Sequence, residues 1–137
     1  MERTLTILKP DSVKDGHAGG IISMLEDEGF RICASKLVHL TRDQAEAFYE
    51  VHRERPFYQS LVSFMTEGPV IAMVLEADQA IERLRKVMGA TDPGKADEGT
   101  VRKRFAANIE RNAIHGSDAP ETAASEISYF FNRLELV

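Results

Sequence analysis

At 137 residues the chain is long enough for one domain with a real core and too short for two, so a single unit spanning 1–137 is expected. Hydrophobic residues make up 43% and charged residues 28%, a globular balance that excludes a disordered or low-complexity chain. A net charge of -5 argues against a surface that coats nucleic acid, so no stable nucleic-acid partner is expected and any anionic ligand must be held by a local cluster of cations.

The first element in chain order is "RTLTIL", an alternating run that reads as a short strand stopped at Lys9-Pro10. A loop through Asp11, Ser12, Gly16 and Gly19-Gly20 is expected next. Ile21, Met24, Leu25 and Glu28 then fall at helical spacing, with Gly29 placed to end the helix. In "FRICASKLVHL", Ile32, Ala34, Val38 and Leu40 share one side of a second strand, broken at Lys36. The one cysteine, Cys33, lies inside that apolar run, where a buried reduced thiol is expected. A reduced thiol, no apolar run near the roughly 20 residues that span a bilayer, and no leader-like N-terminus together point to the cytoplasm and to no membrane partner.

Thr41 and Gln44 form a candidate capping box for a helix whose face continues through Ala45, Phe48 and Tyr49 and which ends before Pro56. "YQSLVSFM" reads as a further short helix. "PVIAMVLE" is nearly continuously apolar, the pattern of a central strand buried on both faces. Asp78 is placed to cap a helix with Ile81, Leu84 and Met88 inward, Arg85 at the edge of that stripe, and Gly89 as the stop. From Gly89 to Phe105 no period persists, so a long loop is expected, a feature that in compact domains is usually functional. A short strand at 113–115 is expected next. Asp118 is placed to cap a last helix with Pro120 in its first turn and Ile127, Phe130, Phe131 and Leu134 as its stripe. The order suggests α+β, a βαββαβ ferredoxin-like sandwich with a four-stranded, mainly antiparallel sheet and helices on one face.

One turn concentrates reactive side chains: "NAIHGSD" at 112–118 brings Asn112, His115, Ser117 and Asp118 together. A histidine in a polar turn is by itself more often solvated than catalytic. Other candidates have plain structural readings too: Lys9 as a strand-end lysine, Phe57 as core beside Pro56, Arg85 paired with Glu82, Arg102 as one cation of "RKR", Glu126 as a solvated helix residue.

Those readings are outweighed by matches that run in order along the chain. "NAIHGSD", "LKPD" at 8–11, "HRERPFY" at 52–58, "EGPV" at 67–70, "MGATDP" at 88–93 and "GTVR" at 99–102 together resemble the nucleoside diphosphate kinase family over essentially the full length. The resemblance implies the ferredoxin-like fold and an enzyme that moves the γ-phosphate of a nucleoside triphosphate, usually ATP, to other nucleoside diphosphates. It implies His115 as a nucleophile phosphorylated on Nδ1, giving ping-pong kinetics, with Glu126 orienting the other ring nitrogen and Tyr49 and Ser117 in support. It also implies phosphate contacts from Arg85, Thr91 and Arg102, contacts to the ribose hydroxyl and reacting phosphate from Lys9 and Asn112, and base stacking on Phe57. Stacking needs only a π-face, so broad base specificity follows. Mg2+ is expected through the nucleotide's phosphates and water rather than a protein cage. Family members assemble as tetramers or hexamers built from dimers.

The chain departs from the family at Lys103-Arg104, where relatives usually carry a small residue and an aspartate. The sequence argues against a P-loop enzyme, since no G-x-x-x-x-G-K-[ST] stretch exists and "GHAGG" at 16–20 is too short. Two rival readings fit the residues less well. A binding module that had lost transfer predicts a missing member of the residue set, and none is missing. A metal-dependent phosphohydrolase using His115 and Asp118 lacks clustered His and carboxylate ligands. His17, His39 and His52 are assigned no catalytic role.

Overall fold

The N-terminal alternation forms β1, Glu2–Leu8, and the chain then runs α1 (Pro10–Lys14), α2 (Ala18–Asp27), β2 (Arg31–Val38), α3 (Arg42–Phe48), a 3-10 turn (Glu50–His52), α4 (Tyr58–Met65) and β3 (Val70–Ala77). It continues through α5 (Ala80–Met88), α6 (Val101–Phe105), β4 (Ile114–Gly116), α7 (Pro120–Phe130) and a second 3-10 turn (Arg133–Glu135). This is a computed structural model, and it describes residues 1–137.

The four strands make one sheet in the order β2-β3-β1-β4, every neighbouring pair antiparallel. β1 and β3 are central, and pair from Glu2 with Ala77 to Leu8 with Ile71. The fold is the ferredoxin-like α+β sandwich. Helices cover both faces rather than one, because β3 alternates between two apolar cores: Val70, Ala72 and Val74 join Tyr49, Val62, Met65 and Phe130 on one side. Met73, Leu75 and Ala77 join Ile21, Leu25, Leu84 and Val101 on the other. A strand apolar on nearly every residue requires apolar cover on both sides, which "PVIAMVLE" dictates.

Several boundaries differ from the sequence reading, each for a local reason. Pro10 opens α1 rather than only ending β1, since a proline is already set for the first helical turn. Gly19 and Gly20 lie inside α2, and Gly20 is seated where a Cβ would come within 3.3 Å of the Phe105 ring. Gly29, at φ +91°, follows α2 as expected. In β2 the register shifts between Ile32 and Ala34, so Cys33 is an extra residue in the strand. The bulge turns Ile32 to one core while Cys33, Ala34, Val38 and Leu40 pack on the other, so the four residues expected on one side divide. Cys33 is fully buried and unpaired.

The Thr41–Gln44 capping box is present, with Gln44 N–H donating to Thr41 Oγ1 and Thr41 N–H to Gln44 Oε1. Asp78 does not cap α5. Gln79 takes that position in a left-handed conformation, and the Glu2 carboxylate from β1 accepts the Ile81 N–H at 2.9 Å. Asp118 likewise does not cap α7: Ala119 is the cap, and the Thr122 hydroxyl accepts the Ala119 N–H at 3.0 Å. The loop after Gly89 is shorter than expected, because Thr100 caps α6 and Val101 drops into the core. Leu134 lies beyond the end of α7, 94% exposed, and so leaves the expected stripe.

Candidate active site

β4 pairs with β1 at one edge of the sheet, Ile7 opposite His115 and Leu8 opposite Ile114. The chain enters β4 through Ala113, a non-glycine residue at φ +77°. The Ile114 N–H donates back to the Asn112 carbonyl at 2.9 Å, closing a three-residue turn around Ala113. This is the γ-turn that is rare because it is strained, and such a backbone costs roughly 1–3 kcal/mol. It persists because its neighbours hold it. Asp11 Oδ2 accepts the Ala113 N–H at 3.1 Å, and the Ala113 carbonyl accepts from Ser12 Oγ at 2.8 Å and from the Lys9 N–H at 3.0 Å.

The other flank is held by Arg102. Its guanidinium donates to the carbonyls of Asn112 (3.3 Å), Ile114 (2.8 Å) and Gly89 (3.0 Å), which explains why a residue inside "VRKRF" is buried. Burial pulls Arg102 below its ordinary value, and the charge of Asp118 only partly offsets this. Lys9 is 7% exposed and donates from Nζ to Asn112 Oδ1 at 2.8 Å. Burial, then the charge of Arg102, lowers Lys9 to about 8. Neither cation has a carboxylate in ion-pair contact. Two neighbouring cations, neither in ion-pair contact with a carboxylate, form a local positive cluster suited to an anion.

His115 is fixed through one ring nitrogen. Nε2 lies 2.9 Å from Glu126 Oε1, and Ser117 Oγ donates to the same oxygen at 2.7 Å. Ser117 is itself anchored to β1, accepting the Leu5 N–H at 3.3 Å. Burial alone would raise the Glu126 carboxyl; hydrogen bonding and charge from His115, then the hydrogen bond from Ser117, outweigh it and hold it below the ordinary carboxylate value. An ionised Glu126 accepts Nε2–H, which leaves the lone pair on Nδ1. The ring also meets Phe48 edge-on at 5.5 Å and Tyr49 edge-on at 6.4 Å. Tyr49 Oη is buried without a hydrogen-bond partner, and burial raises its pKa. Gly116 is tightly packed beside the histidine: a Cβ there would stand 2.8 Å from Met88 Sδ and 2.9 Å from Leu84 Cδ2, so those side chains would have to shift.

A cavity of about 750 Å³ opens over this strand. Lys9, Tyr49, Phe57, Arg85, Thr91, Arg102, Asn112, His115 and Glu126 all line it, so residues separated by more than 100 positions meet around one space. Ser117 stands behind Glu126 and does not reach the cavity. Phe57 is 46% exposed at the mouth, with the His52 ring 5.5 Å away. Arg85 pairs across the lip with Asp118 at 3.5 Å instead of with Glu82, which pairs with Lys86. His52, Glu110, Asp118 and Thr122 also line the cavity. His52 could have been found from its place in "HRERPFY"; Glu110 and Thr122 carry no local signal. Lys103 and Arg104 lie outside the cavity lining, and the Arg104 guanidinium covers the Phe105 ring at 5.0 Å.

The family model for nucleoside diphosphate kinase matches residues 2–136. A nucleoside diphosphate kinase of Desulfosudis oleivorans is 58% identical over 137 residues, covering 100% of this chain and 99% of that one. The Nitratidesulfovibrio vulgaris enzyme is 55% identical over 137 residues, with the same 100% and 99% coverage. Among solved structures, Aquifex aeolicus nucleoside diphosphate kinase superposes with a TM-score of 0.97 at 47% identity, covering 99% of both chains. The Halobacterium salinarum enzyme, solved in complex with CDP, gives a TM-score of 0.95 at 40% identity, covering 99% of this chain and 91% of that one. A match of this extent, on a cavity of this chemistry, identifies the chain as a member of the nucleoside diphosphate kinase family, an enzyme of nucleotide phosphoryl transfer.

Proposed function

We propose that the enzyme transfers the γ-phosphate of a nucleoside triphosphate, mainly ATP, to nucleoside diphosphates in two half-reactions through a phosphohistidine at His115. The observation that carries this reading is the His115–Glu126 contact through Nε2 at 2.9 Å, which leaves Nδ1 without a hydrogen bond in a cavity lined by Lys9 and Arg102. The Nδ1 lone pair attacks the γ-phosphorus, the bond to the β–γ bridging oxygen breaks, and the nucleoside diphosphate leaves. A terminal oxygen of a second diphosphate then attacks the phosphorus, and the N–P bond breaks to return His115. Throughout, Glu126 holds the Nε2 proton, with Ser117 fixing the carboxylate.

Lys9, Arg85, Thr91 and Arg102 neutralise and orient phosphate oxygens, and Lys9 and Asn112 also serve the ribose hydroxyl. Charge already fixed where the transition state develops it is the main source of rate in phosphoryl transfer. Phe57 supplies a stacking face, and Val51 and Ile109 add apolar lining that reads no hydrogen-bond pattern, which supports broad base specificity. Mg2+ carried on the phosphates would meet Asp118 at the lip of the cavity, an exposed carboxylate that could hold one of its waters. When bound, the ion would neutralise the phosphate oxygens that the two cations do not reach.

A homo-oligomer, tetramer or hexamer built from dimers, and a cytoplasmic location belong to the same proposal. The open edge of β2, where Leu37 is 65% exposed, supports self-association, and no helix is long and apolar enough to cross a membrane. Incubation with γ-labelled ATP and magnesium tests the mechanism. Acid-labile, alkali-stable label on His115, discharged by GDP or CDP, is expected; a stable phosphoserine or an unlabelled protein defeats it.

A further inference from the structure

The strained turn at Ala113 lies two residues before His115 and one after Asn112, so its shape sets where both side chains enter the cavity. Of the groups that hold it, Asp11 alone reaches the Ala113 N–H, at 3.1 Å. Arg102 and Ser12 hold carbonyls, which an ordinary β backbone would also offer. The N–H is the group that a turn to positive φ redirects, and without an acceptor it would be a buried unpaired donor.

We propose that Asp11 is a positioning residue for phosphoryl transfer: its Oδ2 stabilises the left-handed conformation of Ala113 and so aims His115 Nδ1 and Asn112 into the cavity. The other carboxylate oxygen, Oδ1, is buried and has no partner, so the group is held by the single bond to the turn and not by an ion pair or a network of its own. A half-buried carboxylate whose inner oxygen has no partner is a poor arrangement to keep for stability alone. Asp11 is not among the residues that line the cavity, so it acts through Ala113 and not by touching a nucleotide. The inference rests on the phosphohistidine reading above.

Single-turnover phosphorylation of His115 by saturating ATP at pH 7, well below each variant's melting temperature, tests it. Asp11→Ala should slow the phosphorylation step on the order of tenfold to a hundredfold, the range expected of a misaimed nucleophile, while the ATP concentration at half-maximal rate changes less than about threefold. Asp11→Asn keeps an oxygen for the Ala113 N–H and should retain most of the rate. Ala113→Gly accepts positive φ without strain, so Asp11→Ala combined with Ala113→Gly should recover most of the loss.

An unchanged rate in folded Asp11→Ala, an Asn variant as slow as the Ala variant, or a double variant no faster than Asp11→Ala overturns the proposal. If Asp11→Ala does not fold, the comparison of Asp11→Asn and Ala113→Gly with the native chain decides, since both must phosphorylate at near-native rates. A native chain that takes no label on His115 defeats the parent mechanism instead.

Discussion

Ser117 and His115 converge on a single oxygen, Glu126 Oε1, at 2.7 and 2.9 Å. The carboxylate is therefore immobilised by a residue that never reaches the cavity. Glu126→Gln presents an amide that can donate to Nε2, which reverses the ring's tautomer and occupies the nucleophile's partner nitrogen wrongly. Phosphorylation should fall by roughly 10²-fold or more, as wrong-tautomer variants of hydrogen-bonded histidines do, with nucleotide binding retained in calorimetry. Ser117→Ala should cost about 1 kcal/mol of stability and less than tenfold in rate, measured by denaturant unfolding and stopped flow.

Lys9 supplies a pH dependence with a defined sign. Its folded value of about 8 lies below the ordinary 10.5, so above pH 8 the empty protein gives up a proton that the unfolded chain keeps, and stability rises with pH. Near pH 10 the trend reverses, because buried Tyr49 stays neutral while an unfolded tyrosine, with an ordinary value of 10.0, ionises. Nucleotide binding runs the other way: KM for ATP should rise above about pH 8 as the charge is lost. Urea unfolding and steady-state kinetics from pH 7 to 10 check both, and Lys9→Met should flatten both profiles over the first two units.

Phe57→Ala should weaken adenine, guanine, cytosine and uracil nucleotides alike by about 1–3 kcal/mol, the range for base–aromatic stacking. Binding titrations with the four diphosphates check it. A loss confined to purines contradicts unspecific stacking.

Gly116→Ala places a methyl within 3.1 Å of Met88 Sδ, Met88 Cε and Leu84 Cδ2. Overpacking of this kind costs about 1–3 kcal/mol, and here it also pushes β4 away from α5. A lowered melting temperature with slower His115 labelling is expected, and Met88→Ala in the same chain should restore part of both.

Much of the fold was legible because its signals are local. The Thr41–Gln44 box, the positive-φ glycines at 29 and 89 and the doubly apolar β3 each state their role within a few residues. The misses needed distant partners. Glu2 caps α5 from 79 positions away, and the bulge at Cys33 exists only in the pairing of β2 with β3. The helices α1 and α6 are five residues each, too short to display a period. At the site, residue types were readable from motifs, yet nothing in "GTVRKRF" indicates that Arg102 alone turns inward onto three carbonyls.

That carbonyl clamp has a consequence for the enzyme between turnovers. Arg102 gives up its rotamer freedom when the chain folds, not when a substrate arrives, and beside it Lys9 is held against a like charge. On the proposed mechanism, an incoming polyphosphate would relieve the repulsion between these two cations without having to order the side chains that receive it. On the proposed mechanism, bound nucleotide would act as the counterion of both cations and would thereby stabilise the folded chain.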